Sequence, residues 1–388
     1  MNFGSSASLQ LTPSPDAASR PASRSGTSGA LTLAVDAMGG DSGPQAVVDG
    51  VVQALRAGVR ARFKLFGDEA ALTAALTAAL AESGVDASAI DVSHTRDTVS
   101  MTDKPSQILR RGRDTSMWRA IDAVRDGAAD AVVSCGNTGA LMAVAYKQLG
   151  VIPGVDRPAI TALWPSPTGP VVVLDVGANV EADADQLVQF AIMGEAFARA
   201  VNGKEKPVVG LLNVGAEELK GHGLIRTAAK TLREADPDMA FHGFVEGDDI
   251  SQGVVDVVVT DGFSGNIALK SAEGAARLVG AWLKESLTAT WLSKLGALLM
   301  MGELRKLRNR MDPSSVNGGV FLGVNGVVVK SHGGADAKGV ASAVAMAASL
   351  AEHPIADEIS RTLARVAGRA GVLAKNGAAD PALKAAAP

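Results

Sequence analysis

Three observations predict an α/β protein, a mainly parallel sheet with helices on both faces and length enough for two lobes. Short apolar runs rich in Val and Leu alternate with helical patterns along most of the chain, the rhythm of β-α-β units. Three of these runs stop abruptly at glycine and amide-bearing residues: Ala131 to Gly139, Val171 to Asn179 and Val257 to Asn266, and the first and third lead straight into helical patterns. The third observation is size: 388 residues, 47% hydrophobic and 20% charged, suffice for a large core. In a parallel sheet such junctions fall at the carboxyl ends of strands, where ligands bind. Glycine lets the backbone approach closely, and the unpaired amides of a starting helix favour an anion. Three such turns on one sheet edge predict a single site for phosphate and a polarised carbonyl, and so an enzyme.

The elements follow in order. Leu31 to Asp36 reads as the first strand, feeding the turn Ala37 to Gly43, with Pro44 suited to a first helical turn. Strand and helix patterns then alternate through Arg62–Phe66, Glu69–Ala81, Ala89–Ser93, Ser116–Asp126, Asp130–Ser134 and Asn137–Gly150. They continue through Val171–Asp175, Asp185–Ala200, Pro207–Asn213, Gly221–Ala235 and Val254–Thr260. Two late strands, Gly319–Val324 and Gly326–Lys330, flank Asn325-Gly326, a hairpin signal. Residues 274–311 break the rhythm as a helical insertion. Leu283, Leu287, Trp291, Leu295 and Leu298/Leu299 make an apolar stripe at nearly i+4 spacing, and Arg305, Lys306, Arg308 and Arg310 form a basic run. A core face, a dimer seam, a membrane-surface helix and a partner-binding helix all fit that pattern. Residues 1–30 have no continuous apolar run and read as a disordered extension, with an organelle transit segment as the other possibility. The catalytic α/β domain then spans 31–368, and 369–388 reads as a flexible, Ala-rich tail.

Composition narrows the chemistry. A net charge of −4 and a single Tyr give no case for nucleic acid. Cys135 is the lone cysteine, and the five histidines show no metal-ligand spacing, so no metal or cofactor is expected. No P-loop lysine or GxGxxG supports a nucleotide. The reading is a cytoplasmic, reduced protein.

Gly136-Asn137-Thr138-Gly139 is the most specific turn: close approach from the glycines, donors from Asn137 and Thr138, and helix-start amides for a phosphate or carboxylate. A plain cap by Asn137 or Thr138 is the alternative. Asp175 and Asp261 end their strands where carboxylates act as bases or orienters. Lys270 stands four residues after Asn266 and shares its helix face. Glu217 and Lys220 form an i, i+3 pair, Arg110, Arg111 and Arg113 a basic knot, and His332 precedes another glycine turn. Asp36 and Asp41 flank a first glycine turn. Cys135 reads as a packing residue rather than a nucleophile, having no histidine near it in sequence.

The compound motifs DAMGGDSGP, SCGNTGALM, LDVGANV, LVQFAIMGEAFA, VGLLNVGAEELKG, DVVVTDGFSGNIALKSAEG and NGGVFLGVNGVVVKSHG run in order from about Leu31 to about Leu350. Together they resemble the bacterial phosphate acyltransferases, the acyl-[acyl-carrier-protein]:phosphate transacylases of phospholipid synthesis. The resemblance implies transfer of a long acyl chain from acyl carrier protein to inorganic phosphate. The acyl phosphate formed would pass to a membrane glycerol-3-phosphate acyltransferase. A fold like that of isocitrate and isopropylmalate dehydrogenases and phosphotransacetylases, two lobes around a cleft, is implied, as are a homodimer, no metal or nucleotide cofactor, and peripheral association with the inner face of the cell membrane. The last point favours the surface-helix reading of the stripe, with Leu283, Leu287, Trp291, Leu295, Arg305 and Lys306 meeting membrane or partner. Cys135 stands where the family often has a small residue.

On this reading phosphate sits on Gly136, Asn137, Thr138 and Gly139, aided by Lys270 or Lys220. Asn179 and Asn266 donate to the thioester carbonyl, where one good donor is worth ~3 kcal/mol. Asp261 orients Lys270 or takes a proton, His332 protonates the departing thiol, and Arg110, Arg111, Arg113 or the 305–310 run dock the acidic carrier. A phosphotransacetylase using acyl-coenzyme A is the alternative.

Overall fold

A computed structural model describes residues 30–81, 83–305 and 319–378, with side-chain surroundings as far as 369. Eleven strands are described: β1 (Leu31–Asp36), β2 (Ala61–Gly67), β3 (Ile90–His94), β4 (Ala131–Ser134), β5 (Ala159–Trp164), β6 (Val171–Leu174), β7 (Val208–Leu212), β8 (Ala240–Val245), β9 (Val257–Val259), β10 (Gly319–Leu322) and β11 (Val327–Lys330). They form one continuous sheet in the order β3-β2-β1-β4-β11-β10-β5-β6-β9-β7-β8. Side chains alternate between two cores, as period-2 burial requires. Leu33, Val35, Val133, Val172, Leu174 and Val257 enter one core, and Ala34, Val132, Val173, Val258 and Phe321 the other.

The first core is covered by α1 (Gly43–Arg56), α2 (Glu69–Leu80), α6 (Ala184–Asn202), α7 (Gly223–Ala235), α11 (Ala337–Ala351) and α12 (Ile355–Ala378). The second is covered by α3 (Pro105–Arg111), α4 (Ser116–Arg125), α5 (Thr138–Leu149), α8 (Gly247–Gln252) and the first turns of α9 (Gly262–Thr288). Strand runs this apolar on both faces belong to a sheet buried on both sides. The fold class predicted from sequence is the one observed. Helix α12 continues to Ala378, past the boundary at 368 drawn from composition. The extension up to residue 29 and residues 379–388 lie outside the described residues.

Strand direction changes the functional picture. β3, β2, β1, β4 and β11 are mutually parallel, and so are β6, β9, β7 and β8. Between the two blocks, β11–β10, β10–β5 and β5–β6 are each antiparallel. Three reversals leave the blocks pointing opposite ways. The turn after β4 therefore opens at one end of the sheet, and the turns after β6 and β9 at the other. The expectation that all three share one edge is corrected: a strand's sense is set by its pairing, which the sequence pattern does not carry.

Beyond Gly274, α9 leaves the sheet, and α10 (Trp291–Leu299) packs back on it. The apolar stripe is not one helix: α9 stops at Thr288, and the Thr290 side chain caps a new start through the Ser293 amide. Trp282, Trp291, Leu292, Leu295, Leu298 and Leu299 are exposed, Leu283 is marginally so and Leu287 is half-buried. Arg305 is exposed; Lys306 lies outside the described residues, as do Arg308 and Arg310.

Candidate functional site

At the carboxyl ends of β1, β4 and β11, three glycine-bearing turns close on one another. The Asp41 amide donates to Gly333 O at 2.7 Å. A side chain at Gly39 would meet Asp36 Oδ2 and the Gly136 amide, each at 2.7 Å; one at Gly40 would meet Gly333 O at 2.8 Å and Cys135 Cβ at 2.9 Å. Gly40 also has φ +95°, a conformation that disfavours any side chain. The floor is polar and buried. Ser116 Oγ and Ser134 Oγ donate to the two oxygens of Asp36 at 2.6 and 2.7 Å. Burial pushes the Asp36 carboxyl above its usual range, while those hydroxyls and the Met38 and Gly39 amides pull it down.

Lys330, the last residue of β11, is only 7% exposed, and its ammonium donates to the carbonyls of Cys135 (3.3 Å) and Ser331. Burial depresses its pKa; the Cys135 thiol, Asp36 and Asp41 act the other way, and the charge of Lys270 adds to the depression. Beside it Ser331 is fully buried, and its hydroxyl meets no hydrogen-bonding nitrogen or oxygen. Burial pushes the Cys135 thiol up, opposed by Ser331 and Lys330. A raised, buried thiol is a poor nucleophile. A buried ammonium under glycine-lined backbone is a cradle for an anion.

The turn after β4 contributes less than its sequence promised. Asn137 is committed: its Oδ1 accepts from the Ala140 amide at 3.0 Å, and its Nδ2 donates to Met101 O at 2.9 Å and Asp103 O at 3.0 Å. The Gly136 amide donates to Ser134 Oγ at 3.0 Å. That leaves the first-turn amides of Thr138 and Gly139, which have no partner among the described residues, to meet an anion. Asn137 is the cap that the plain alternative described, and it also ties down the 100–103 loop.

The turns after β6 and β9 form a second centre. The Asp175 carboxylate is fully buried; its Oδ1 accepts from the Ile160, Gly177 and Ala178 amides at 3.1, 3.1 and 3.0 Å, and its Oδ2 from the Asn179 amide at 2.7 Å. The Asn179 side chain spends both N–H bonds, on Asp175 Oδ2 at 2.9 Å and Pro158 O at 2.8 Å. It has no donor left for a thioester carbonyl, so the catalytic role expected of Asn179 is corrected to that of a turn brace. Asp261 caps α9, accepting from the Ser264 amide and hydroxyl at 2.8 and 2.9 Å. It does not orient Lys270, whose ammonium pairs with Glu273 at 2.9 Å. Asn266 is exposed and lies beside Gly177, and its side chain has no hydrogen bond among the described residues.

Helix α9 is what connects the two centres. Ala268, Leu269 and Ala272 press it onto the sheet, and the field of Lys270 reaches Lys330 at the far end. Lys220 does not join them. It is exposed, pairs with Glu217 at 2.8 Å and follows β7, six strand spacings from β4, on the order of 29 Å. One phosphate cannot touch both Lys220 and the Gly136 turn, so that expectation is corrected. His332 is exposed and accepts from the Gly334 amide through Nδ1 at 3.1 Å, which places the ring proton of a neutral imidazole on Nε2. The sequence reading missed Lys330, Ser331 and Glu273. A lysine ending the run Val327-Val328-Val329 is the one signal that could have revealed a buried ammonium. No cluster of three or more potential metal ligands occurs among the described residues, and no helix there is long and apolar enough to cross a membrane.

The profile of the family described as "Fatty acid synthesis protein" matches residues 31–358. A phosphate acyltransferase of Maricaulis maris (strain MCS10) is 54% identical over 339 residues, 87% of this chain and 95% of that protein. One of Caulobacter vibrioides is 52% identical over 343 residues, 88% and 94% of the respective chains. Among solved structures, a phosphotransacetylase from Streptococcus pyogenes is similar with a TM-score of 0.56 at 16% identity, covering 83% of this chain and 94% of that one. The EutD phosphotransacetylase from Staphylococcus aureus gives 0.52 at 17%, with the same coverage. At such identities the likeness is one of fold.

Proposed function

We propose that this chain, which belongs to the phosphate acyltransferases of the fatty acid synthesis protein family and is an acyltransferase, moves a long acyl chain from the thioester of acyl carrier protein to inorganic phosphate, releasing acyl phosphate for phospholipid synthesis. The observation that carries the reading is the cradle, where glycine turns from β1, β4 and β11 close over the buried ammonium of Lys330. Phosphate is already anionic near neutral pH, so positioning and charge matter more than deprotonation. The Thr138 and Gly139 amides and Lys330 hold it, and Lys270 approaches from α9. A phosphate oxygen attacks the thioester carbon directly, and Lys270 offsets the charge of the oxyanion that develops; Asn266, on the turn after β9 at the other end of the sheet, is out of its reach. Collapse expels the thiolate, which His332 protonates. Cys135 takes no part.

The exposed apolar surface of α9 and α10 fits peripheral membrane docking, which would hand acyl phosphate to a membrane glycerol-3-phosphate acyltransferase. A homodimer and a cytoplasmic site of action belong to the same proposal. Lys270→Ala lowers turnover about tenfold or more with folding intact, the loss of one directed contact. Near-normal turnover in that variant removes α9 from the mechanism. Turnover with acyl-coenzyme A but not with the acyl carrier would replace the donor.

A further inference from the structure

A cavity of about 760 Å³ opens beside the cradle, in the loop between β3 and α4. Three arginines line it, Arg96, Arg110 and Arg111, with Gln107 and Thr115 as neutral neighbours and Asp97 as the acid. Among the described residues, Arg96 and Arg111 have no hydrogen-bond or ion-pair partner, and Arg110 spends only Nε, on Ser106 O at 3.2 Å. Arg113, the third member of the basic knot, is absent from the lining; its charge acts on Asp122 in α4. Unpaired guanidinium forks around a concave space match the geometry of phosphate oxygens.

The cavity wall is stapled to the cradle at two points. The Asn137 amide grips the carbonyls of Met101 and Asp103, and Ser116, next to Thr115 in the lining, donates to Asp36 at 2.6 Å. Asp97 holds the two ends of the loop together, its carbonyl accepting from the Ser116 amide at 3.1 Å. The side chain of Met101 rests where Gly333 enters the cradle. A ligand whose anion sits among the arginines thus has its remainder led along Met101 toward the reacting centre.

We propose that the Arg96–Arg110–Arg111 cavity seats the phosphate ester of the donor's pantetheine arm. This rests on the reading of the donor as a carried thioester, and it holds for either carrier, because acyl carrier protein and coenzyme A share that arm. Inorganic phosphate is small and belongs in the buried cradle, where Lys330 and the α5 amides meet it. The arginine cavity is open, as a chain passing through it requires.

The test compares acyl-pantetheine with acyl-4′-phosphopantetheine, which differ only in the phosphate ester, on the full-length wild type and the Arg96→Gln/Arg111→Gln variant. The wild type should show a KM about tenfold lower for the phosphorylated thioester, and the variant should lose that preference, with the KM for inorganic phosphate changed less than about twofold. Calorimetric binding of 4′-phosphopantetheine alone should weaken in parallel, and unchanged unfolding temperatures show that the variant is folded. An undiminished preference in the variant overturns the proposal. So does a KM increase confined to inorganic phosphate, which would make the cavity the second substrate's site. Equal weakening toward carrier protein lacking its arm also overturns it, as that assigns the arginines to the carrier's acidic surface. Absence of turnover with every thioester defeats the proposed function instead, and the calorimetric arm still decides whether the cavity binds the ester.

Discussion

Replacing Lys330 by Met separates the chemistry of the cradle from its architecture. Methionine keeps an unbranched apolar stem and removes the ammonium. Two carbonyls, those of Cys135 and Ser331, lose a donor, at about 1 kcal/mol each. Against this, a charge that is 93% buried no longer has to be held out of water, a penalty of several kcal/mol for an ammonium. The depressed pKa of Lys330 is the sign of that penalty. The two effects oppose, so stability should change by no more than about 2 kcal/mol, in either direction. Activity should respond differently. A charge-assisted bond to bound phosphate is worth about 1.5–3 kcal/mol, or roughly ten- to a hundred-fold in kcat/KM for phosphate. The assay is acyl phosphate formation at varied phosphate, paired with thermal unfolding of both proteins. Turnover within about twofold of wild type at every phosphate concentration refutes the reasoning, and so does a loss of activity fully accounted for by unfolding.

Three further outcomes follow from the same geometry. The Asp36 carboxyl has its folded pKa raised from 3.8, so the folded protein holds that proton more tightly than the unfolded chain; its contribution is full below 3.8 and is lost as pH rises through the folded value. Asp36→Asn should therefore make the fall in unfolding temperature between mildly acidic and neutral pH shallower than in the wild type, and an equal or steeper fall contradicts the assignment. Cys135→Ala removes a buried thiol that the mechanism does not use and should keep activity within about threefold; abolished turnover in a folded protein would restore an acyl-cysteine route. Trp291→Glu with Leu295→Glu, at positions 73% and 49% exposed, should abolish cosedimentation with anionic lipid vesicles while turnover in solution persists, and undiminished vesicle binding removes the helical protrusion from that role.

Much of the fold was legible because its strands are dense in β-branched residues, as in Val171–Leu174 and Val327–Lys330, and because Asn325-Gly326 announces the β10–β11 hairpin. β5 escaped notice: Ala159–Trp164 reads AITALW, too rich in alanine and leucine to separate from a helix. That omission mattered, since β5 and β10 supply the reversals that turn the two blocks of the sheet against each other. The site was harder to read. Amide and carboxylate side chains at strand ends look alike whether they meet a ligand or their own backbone. The structure separates Asn266, whose side-chain amide is unpaired among the described residues, from Asn137 and Asn179, whose amides brace turns. Lys330 was hidden for the opposite reason. A lysine after an apolar strand is ordinarily solvated, and only the convergence of three turns over it, distant in sequence, makes it a buried cation.

The central claim is that the cradle accepts inorganic phosphate as the nucleophile for a thioester. Mass-spectrometric detection of product after mixing purified protein with long-chain acyl carrier protein and phosphate, without metal or nucleotide, tests it most directly. The account predicts acyl phosphate, formed in step with released carrier thiol and absent when phosphate is omitted. Intact acyl carrier protein after incubation with folded enzyme and phosphate, or release of free fatty acid in place of acyl phosphate, would contradict it.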